Sequence, residues 1–489
     1  MVGTDGWVGL GLITVLVAGS GLAIYRKRMP RSLRSVGSAD PWALRYSGPI
    51  LVIGAVAAVA AFTWAYRSVE GKDKDRADIG VKAATATAAI AAGVLTWGRL
   101  ELSRREHGLS VDQDLTERYG RAVDQLGNES SPVIRAGGAY ALERFALDAF
   151  KRTGMDNETD WRMAIDLLAR FIRQDRTPSA GPPGSTSPVP VDVLAGLEAL
   201  SRFNHRSGAV PPVRHDLYGI VLAGADLSRY KLDGADLVAA DLMNANFKMA
   251  DLTVVTLSDA NLSGANLVGA DLTGVQAAGA NFTFADLHFA KARDASLPSA
   301  DFTGANLTQA TLSGANLTRA DLVDARLVDA KLHGANLSHA NLASADLFGG
   351  HLSGVVLDSA DLTGASLLGA TLIGANLIKA QLVGANLNAT NLNQANLSRA
   401  NLTGADLTGA ELVAAVLTRT GLANANLTTA DLTNANLKRA NLTNADLTRA
   451  NLTGANLTGA DLTDADLTGA DLTNAIGLTT PPKPPGLST

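Results

Sequence analysis

The most regular chemical feature of this sequence is a row of basic side chains separated by 20 residues or a multiple of 20. The row comprises Arg319, His339, Lys379, Arg399, Arg419 and Arg439. Ser359 occupies the one position of the row that lacks a basic residue. Side chains of this kind bind carboxylates, phosphates and the headgroups of acidic lipids. The row therefore predicts an anion-binding surface, on condition that the fold brings residues 20 apart together.

Residues that could support catalysis or bind a metal are few and dispersed. The chain has no cysteine, which excludes disulfides, thiolate nucleophiles and cysteine-ligated metals. Seven histidines are too few and too scattered to predict a metal site. No GxxxxGK(S/T) loop and no strand-linked GxGxxG motif is present, and the many Ser and Thr hydroxyls lack a paired base. We expect no catalytic residue, no cofactor and no metal, so the chain is not predicted to be an enzyme.

A five-residue repeat fills a little over half of the chain. From Leu217 to Leu472 the units have Leu or Phe at nearly every centre and Ala two positions earlier in most units, without a phase slip. Residues 400–409 read ANLTGADLTG, which is the unit A(D/N)LxX twice. The pattern resembles the pentapeptide-repeat family, whose fold is a right-handed quadrilateral β-helix with four units in each square coil. The resemblance implies an all-β solenoid over residues 215–476.

A square coil of four units would stack residues 20 apart directly above one another. The central Leu then points inward, Ala lies at the inner corners, and Asn or Asp before each Leu bonds to the turn backbone. About 13 coils spaced by about 4.8 Å give a rod about 60 Å long. The row of basic residues becomes a ridge about 30 Å long, called here the basic ridge. The alternative is a solvated edge that arose by repeat duplication and was never selected for binding.

Two features of the repeat predict details of its packing. The units centred on Ala277 and Ala292 lack a large side chain, so we expect either local loosening of the core or compensation by nearby Phe282, Phe284 and Phe289. One column of the coil consists largely of asparagine, which predicts a ladder of hydrogen bonds between coils. Its members include Asn316, Asn336, Asn376, Asn396, Asn436 and Asn456.

The N-terminal region, residues 1–110, is predicted to lie in a membrane. Uncharged apolar runs cover residues 7–25 and 49–66, each long enough to cross a hydrocarbon layer of roughly 30 Å, and a shorter run covers 83–97. The basic residues after the first run indicate a cytoplasmic loop. Three spans would place the rest of the chain in the cytoplasm, as a multi-pass protein of the bacterial cell membrane. With two spans, either the basic loop or the bulk lies outside.

Residues 111–175 are expected to form a small helical module. The patterns predict helices over 114–126, over 132–150 and from Asp160 onward, with Glu143 on a solvated face. Residues 118–150 resemble the helical module that precedes the repeats in many bacterial membrane-associated pentapeptide-repeat proteins, a resemblance that carries no assigned chemistry. Further predictions are a linker with a capping helix over 176–214 and a disordered tail over 477–489.

These features predict a noncatalytic, membrane-tethered scaffold that presents its rod to a protein partner or to an anionic membrane surface. A homodimer could form through Ile476 and Leu478 at the C-terminal end, as is common in the family. The alternative is an inhibitor of a type II topoisomerase that mimics DNA, as some soluble members of the family do. The basic ridge and the predicted membrane attachment disfavour that alternative, and nucleic acid is not a predicted partner.

Overall fold

The computed structural model of the chain describes residues 113–153, 159–173, 189–207 and 214–478. Four helices come first: α1 over 113–126, α2 over Pro132–Thr153, α3 over Thr159–Arg173 and α4 over Val191–Ser207. A solenoid of five-residue units fills the last described range. Each face of a coil contributes one residue to a parallel β-bridge with the next coil, and a short turn connects each face to the following one.

The helices pack into a small bundle around an aromatic cluster. Helix α2 contacts both α3 and α4, and α3 contacts α4. The ring of Phe150 meets Trp161 edge-on with the ring centroids 5.5 Å apart, and Trp161 stacks on Phe203 at 5.7 Å. Helix α2 starts as its sequence predicts: Pro132 is the first helical residue and the Ser131 hydroxyl accepts a hydrogen bond from the Ile134 N–H at 3.3 Å.

Buried charges connect α2 to α4. The Arg135 guanidinium pairs at 2.5 Å with the buried carboxylate of Asp192. Glu143 is also buried; burial raises the pKa of its carboxyl, while Arg202 and Arg206 oppose that shift. The nearest of these contacts joins the Arg206 Nη1 to the Glu143 Oε1 at 3.2 Å. The prediction of a solvated Glu143 is therefore wrong, because α4 packs over this side of α2.

Residues 20 apart in the solenoid are neighbours in adjacent coils, as predicted. Parallel bridges join Asp216 to Asp236 at one end and Asn456 to Ile476 at the other, with the same spacing in between. Each coil is bonded to the next by backbone hydrogen bonds; for example, the Leu317 N–H donates to the Asn336 carbonyl at 2.7 Å. Leu and Ala fill the interior and are almost all fully buried before residue 460. The register therefore holds without interruption along the solenoid.

The polar residue before each central Leu shapes the turn. Its Oδ1 accepts a hydrogen bond from the backbone N–H two residues later, as in the bond from the Thr318 N–H to Asn316 at 3.1 Å. This confirms the predicted bonding of Asn and Asp to the turn backbone. In the asparagine column, all six predicted members form this local turn bond. The column therefore stabilises its own turns, and the backbone rather than an asparagine ladder provides the bonds between coils described above.

Phenylalanine compensates for the missing core volume at one of the three predicted positions. Phe282 is buried and stacks on Phe302 with the ring centroids 4.8 Å apart. Half a coil separates Phe282 from Ala292, so the large and the small side chain face each other across the interior. Phe284 and Phe289 are 74% and 53% exposed, because they occupy turn positions whose side chains point outward. The prediction for these two residues is wrong.

Helix α4 covers the N-terminal end of the solenoid. The Lys231 N–H donates to the Ser201 hydroxyl of α4 at 2.7 Å. One coil later, the equivalent N–H of Asp251 donates instead to a carbonyl of the preceding coil, that of Tyr230, at 2.8 Å. The Asn204 side-chain amide similarly donates to the Asp233 carbonyl at 3.3 Å. A salt bridge of 2.7 Å joins Arg173 of α3 to Asp216. Side chains of the bundle thus supply partners that a preceding coil would otherwise provide.

The C-terminal end of the solenoid is more open within the described residues. The central residues Leu462, Leu467 and Leu472 are only partly buried, unlike the central leucines of earlier coils. Ile476 is 56% exposed and continues the last coil, with its N–H donating to the Ala455 carbonyl at 2.9 Å. It therefore does not fold over the end, contrary to one of its two predicted roles.

The predicted location as a multi-pass protein of the bacterial cell membrane is corrected. Across the ranges that the structure describes, no helix combines the length and the apolar character needed to cross a bilayer. The longest of these helices, α2, has 22 residues but carries Arg135, Glu143 and Lys151 among other charges. The three segments predicted as spans, 7–25, 49–66 and 83–97, lie outside the described residues.

His215 is a buried ionisable residue at the start of the solenoid. Its side chain is 1% exposed, and neither ring nitrogen has a hydrogen-bond partner among the described residues. Burial lowers the pKa of its imidazole from 6.5 to about 4. Between pH 6.5 and about 4, the imidazole is therefore neutral in the folded protein and protonated in the unfolded chain.

The first prediction concerns the pH dependence of folding. Above pH 6.5 the His215 imidazole is neutral in both the folded and the unfolded chain, so it does not reduce the free energy of unfolding. As the pH falls from 6.5 toward 4, this free energy decreases, because the unfolded chain binds the proton before the folded chain does. The loss should reach about 3 kcal/mol in the free energy of unfolding. Urea unfolding of the parent and of His215→Leu across this pH range measures the difference, in which carboxylate titrations cancel. The exposed His351→Leu change is the control, and equal pH dependence in all three proteins would contradict the prediction.

Candidate functional site

All members of the basic ridge lie at one corner of the square coil. They are exposed and occupy the second position after the central Leu, where the chain turns to the next face. Their backbone lies in the left-handed region, with φ between 59° and 62°. The structure therefore brings together Arg319, His339, Lys379, Arg399, Arg419 and Arg439, with Ser359 in the gap, in the order that the 20-residue spacing predicts.

The basic ridge consists of residues whose backbone conformation is unfavourable for any residue with a Cβ atom. Many other corner positions hold glycine, which adopts a positive φ without a steric penalty. A residue with a Cβ atom costs about 1 kcal/mol or more in the same conformation. From Arg319 to Arg439, seven successive coils carry a non-glycine residue at this corner. Glycine returns to the corner at Gly459.

Four cations surround an open depression in the C-terminal part of the ridge. The depression has a volume of about 370 Å³ and is lined by Ser398, Arg399, Thr418, Arg419, Lys438 and Arg439. We call Arg399, Arg419, Lys438 and Arg439 the cation cluster. Lys438 was not predicted as a site residue, since it lies one position before the ridge. Its proximity to Arg439 in sequence was the available signal.

No salt bridge neutralises the cation cluster within the described part of the chain. Its four side chains have no carboxylate within 4.0 Å there, whereas Lys291 elsewhere on the solenoid pairs with Asp271 at 3.6 Å. The adjoining outward positions on both faces are uncharged. They are Asn396, Val416 and Asn436 on one side and Gln381, Asn401, Gly421 and Asn441 on the other. The N-terminal half of the ridge differs, because Asp321, Asp358 and Asp361 lie on the faces beside it.

Two hydroxyl groups beside the cluster are free to donate. In many units, a Thr or Ser hydroxyl donates to the Asn or Asp two residues earlier, as Thr408 does to Asp406 at 2.6 Å. Val416 stands where Thr418 would find that acceptor, and among the described residues the Thr418 hydroxyl has no hydrogen bond. The Ser398 hydroxyl is likewise unbonded there. Both hydroxyls line the depression and can donate to a bound anion.

The face that precedes the ridge is nearly free of charge. We define the neutral face as the outward residues at every twentieth position from Thr256 to Asn456 and from Ser258 to Thr458. Only Asp358 and Lys438 on it are charged. The remaining residues carry amides or hydroxyls or are apolar, as Ile378 is. The neutral face extends over about ten coil steps, or about 48 Å, and the basic ridge borders it over about six of these steps.

Among the described residues, two histidines approach each other, but no larger histidine cluster forms. The rings of His333 and His351 approach to 6.2 Å between centroids, although the two residues occupy different columns. The ring of His288 instead contacts Phe289, and its Nδ1 lies 2.9 Å from the Thr308 carbonyl oxygen. Within the ranges that the structure describes, no three His, Asp or Glu side chains are grouped so that they could hold a metal ion.

Comparison with known families agrees with the repeat geometry. The model of the pentapeptide repeats matches eight times and together covers about half of the chain. The matched residues are 221–259, 256–297, 295–338, 340–377, 351–388, 380–419, 410–449 and 440–476. The chain therefore belongs to the pentapeptide-repeat family, for which the repeats imply a right-handed quadrilateral β-helix. Proteins of this family are generally structural or binding proteins without catalytic activity.

Several solved structures are similar to part of this chain. HetL from the cyanobacterium Nostoc sp. strain PCC 7120, a pentapeptide repeat protein involved in the regulation of heterocyst differentiation, is 34% identical over 54% of this chain and 90% of its own, with a TM-score of 0.22. QnrB1, a plasmid-mediated fluoroquinolone resistance protein, is 20% identical over 41% of this chain and 89% of its own, with a TM-score of 0.29. A pentapeptide repeat protein of the Arabidopsis thaliana thylakoid lumen is 32% identical over 21% and 68%, with a TM-score of 0.15. No curated protein sequence matches the chain.

The second prediction tests the strained backbone of the ridge. Arg419 has a φ of 61°, so Arg419→Gly should have a free energy of unfolding about 1 kcal/mol higher than Arg419→Ala, since only glycine adopts this conformation freely. Urea unfolding of both variants measures the difference. The same pair of changes at Arg449, a corner residue with a φ of 58°, should give the same sign. A more stable alanine variant at both positions would contradict the left-handed turn.

Proposed function

We propose that this chain is a noncatalytic interaction protein whose solenoid binds an acidic protein partner along the neutral face and the basic ridge. The observation that carries the proposal is the continuity of the two surfaces: a long, nearly uncharged strip is bordered along one edge by a row of cations. Core regions of protein interfaces are depleted of charged residues and enriched in Arg relative to other surfaces. A row of cations at the edge favours a partner with carboxylates in a matching position.

The location of the cations also supports a binding role. Seven successive corner positions avoid the residue that the turn prefers, and the basic residues among them have exposed side chains. The C-terminal members lack carboxylate partners among the described residues, so their charge is available to a partner. Exposed cations of this kind raise the association rate with an acidic surface, and salt weakens the effect.

The alternative function is inhibition of a type II topoisomerase by mimicry of DNA. The solenoid has an acidic excess that favours it, with 25 Asp and Glu against 14 Lys and Arg between residues 215 and 478. The basic ridge opposes it, because DNA presents a uniformly negative surface. A supercoiling assay with the full chain separates the two: inhibition that persists after charge reversal of the ridge would favour mimicry.

The third prediction reverses the ridge charges. Arg399→Glu, Arg419→Glu and Arg439→Glu together should weaken capture of the partner by about tenfold or more, because they place carboxylates against an acidic surface. A photo-crosslinker at Thr458 on the neutral face should capture one defined protein in cells, whereas the same probe at Thr443 on the next face should not. Capture is quantified by mass spectrometry.

The matched control changes three cations away from the ridge. Arg229→Glu, Arg326→Glu and Arg449→Glu alter the net charge equally but should leave the capture nearly unchanged. If both triple variants lose the partner equally, net charge rather than the ridge determines binding. Equal capture from Thr458 and Thr443 would argue against the neutral face as the interface.

We also propose that a second copy of the chain packs on the open C-terminal end of the solenoid. Leu462, Leu467 and Leu472 are less buried there than their equivalents in earlier coils, and Ile476 is exposed beside them. Covering this apolar end would remove it from water and protect the last coil from pairing with other chains.

The fourth prediction concerns the molar mass in solution. The parent chain should have the mass of a dimer in light scattering coupled to size exclusion, and Ile476→Glu should shift it to the mass of one chain, because a buried unpaired carboxylate is unfavourable. Ile373→Glu, at an exposed isoleucine on the side of the solenoid, should remain dimeric. A monomeric parent would exclude this contact.

A further inference from the structure

The depression within the cation cluster is distinct from the rest of the ridge. Arg399, Arg419 and Arg439 lie on successive coils, whose backbones are about 4.8 Å apart, and Lys438 adds a fourth cation beside them. Beside the N-terminal half of the ridge, by contrast, Asp321 and Asp358 lie on the adjoining faces. The C-terminal part of the ridge therefore concentrates positive charge around a concave surface.

We propose that this depression binds a chain of linked phosphate groups, as in inorganic triphosphate or the phosphate chain of a nucleotide. Arginine presents a planar fork of donors that matches phosphate oxygens bidentately. Arg399, Arg419 and Arg439 offer three such forks in a row, which suits successive phosphates along the rod. The Ser398 and Thr418 hydroxyls and the Lys438 ammonium supply additional donors at the same surface.

The size and the lining of the depression distinguish phosphate chains from other anions. Its volume of about 370 Å³ lies near the lower end of the range of about 300–1,000 Å³ for small-molecule sites. A phosphate group carries more than one negative charge and several acceptor oxygens, so a short chain can engage four cations within this volume. Single carboxylates carry one charge each and would leave part of the cluster unopposed.

The lining also indicates which part of a nucleotide would be recognised. The six lining residues are hydroxyl-bearing or cationic, and none of them is aromatic. A nucleobase would therefore find no ring to stack on at this surface. Inorganic triphosphate and a nucleoside triphosphate share the chemistry that the depression recognises, and their comparison identifies the source of the binding energy.

This site lies within the proposed protein interface, because each of its six lining residues belongs to the basic ridge or to the neutral face, but it needs much less of that surface. Phosphate binding requires only the depression and its four cations, whereas the partner is proposed to extend along the neutral face. A chain that binds triphosphate but captures no partner would support the site and remove the proposed function. The reverse result would remove the site alone.

The fifth prediction is tested by isothermal titration calorimetry of the full chain with sodium triphosphate. Arg419→Gln, at the centre of the cluster, should weaken binding by about tenfold or more, since it removes a charge-assisted, bidentate contact. Arg419→Lys should have a smaller effect, because it keeps the charge and loses the fork. Circular dichroism verifies that each variant retains the parent fold.

Arg449→Gln is the matched control. Arg449 occupies the same position of its turn as Arg439 but lies on another corner of the coil. The two side chains also have similar surroundings: in each, the Cγ lies 3.5 Å from the point that a Cβ atom would occupy on the glycine one coil later. Its loss should change the affinity by less than about twofold. Equal weakening by Arg449→Gln and Arg419→Gln would overturn the site, because it would show diffuse attraction to the whole rod.

Titrations with two further ligands identify the chemical group that the depression recognises. Adenosine triphosphate should bind about as tightly as inorganic triphosphate, since the depression recognises only the phosphates. Sulfate, with one group in place of a chain, should bind more weakly by about tenfold or more if successive arginines act together. Sulfate binding as tight as triphosphate binding, or no triphosphate binding to the parent, would overturn the proposal.

Discussion

The 20-residue register between coils is the constraint on which the rest of the solenoid depends. Its interior is narrow, so each five-residue unit contributes one central side chain and one small corner residue, and these are buried along most of the rod. Backbone hydrogen bonds such as that from the Leu317 N–H to the Asn336 carbonyl connect the coils in this register. A shift by one residue would expose the central leucines and break every column. The positions of all outward side chains therefore follow from the core.

The corners of the coil convert this register into a surface. Their positive φ directs the side chains outward, which explains why Phe284 and Phe289 are exposed although the core lacks volume nearby. A corner side chain can also lean over the glycine of the next coil, as Phe284 does over Gly304. No corner glycine interrupts the basic ridge between Arg319 and Arg439. Its side chains therefore follow one another from coil to coil, and the cation cluster forms where carboxylates are absent from the adjoining faces.

Sequence reasoning succeeded where contacts repeat at a fixed spacing. The stacking of Arg399 on the column of Arg419, and the bonding of each Asn or Asp to its own turn, followed from the five-residue unit. It failed where packing depends on elements distant in sequence. Glu143 looked solvated because its own helix places it away from the apolar stripe, but α4 packs over it. The multi-pass membrane location was inferred from apolar runs near the N-terminus, and no helix among the described residues could span a bilayer.

The sequence by itself determined the coil, the identity of its columns and the existence of the basic ridge, because each of these depends on a local period and on backbone bonds that repeat with it. Only the tertiary structure showed how Ser201 and Asn204 of α4 replace the missing coil at one end. It also decided that Lys438 joins the ridge arginines around a depression. The physical reason is that end contacts and concave surfaces arise from side chains that meet once, and no repeating spacing predicts such meetings.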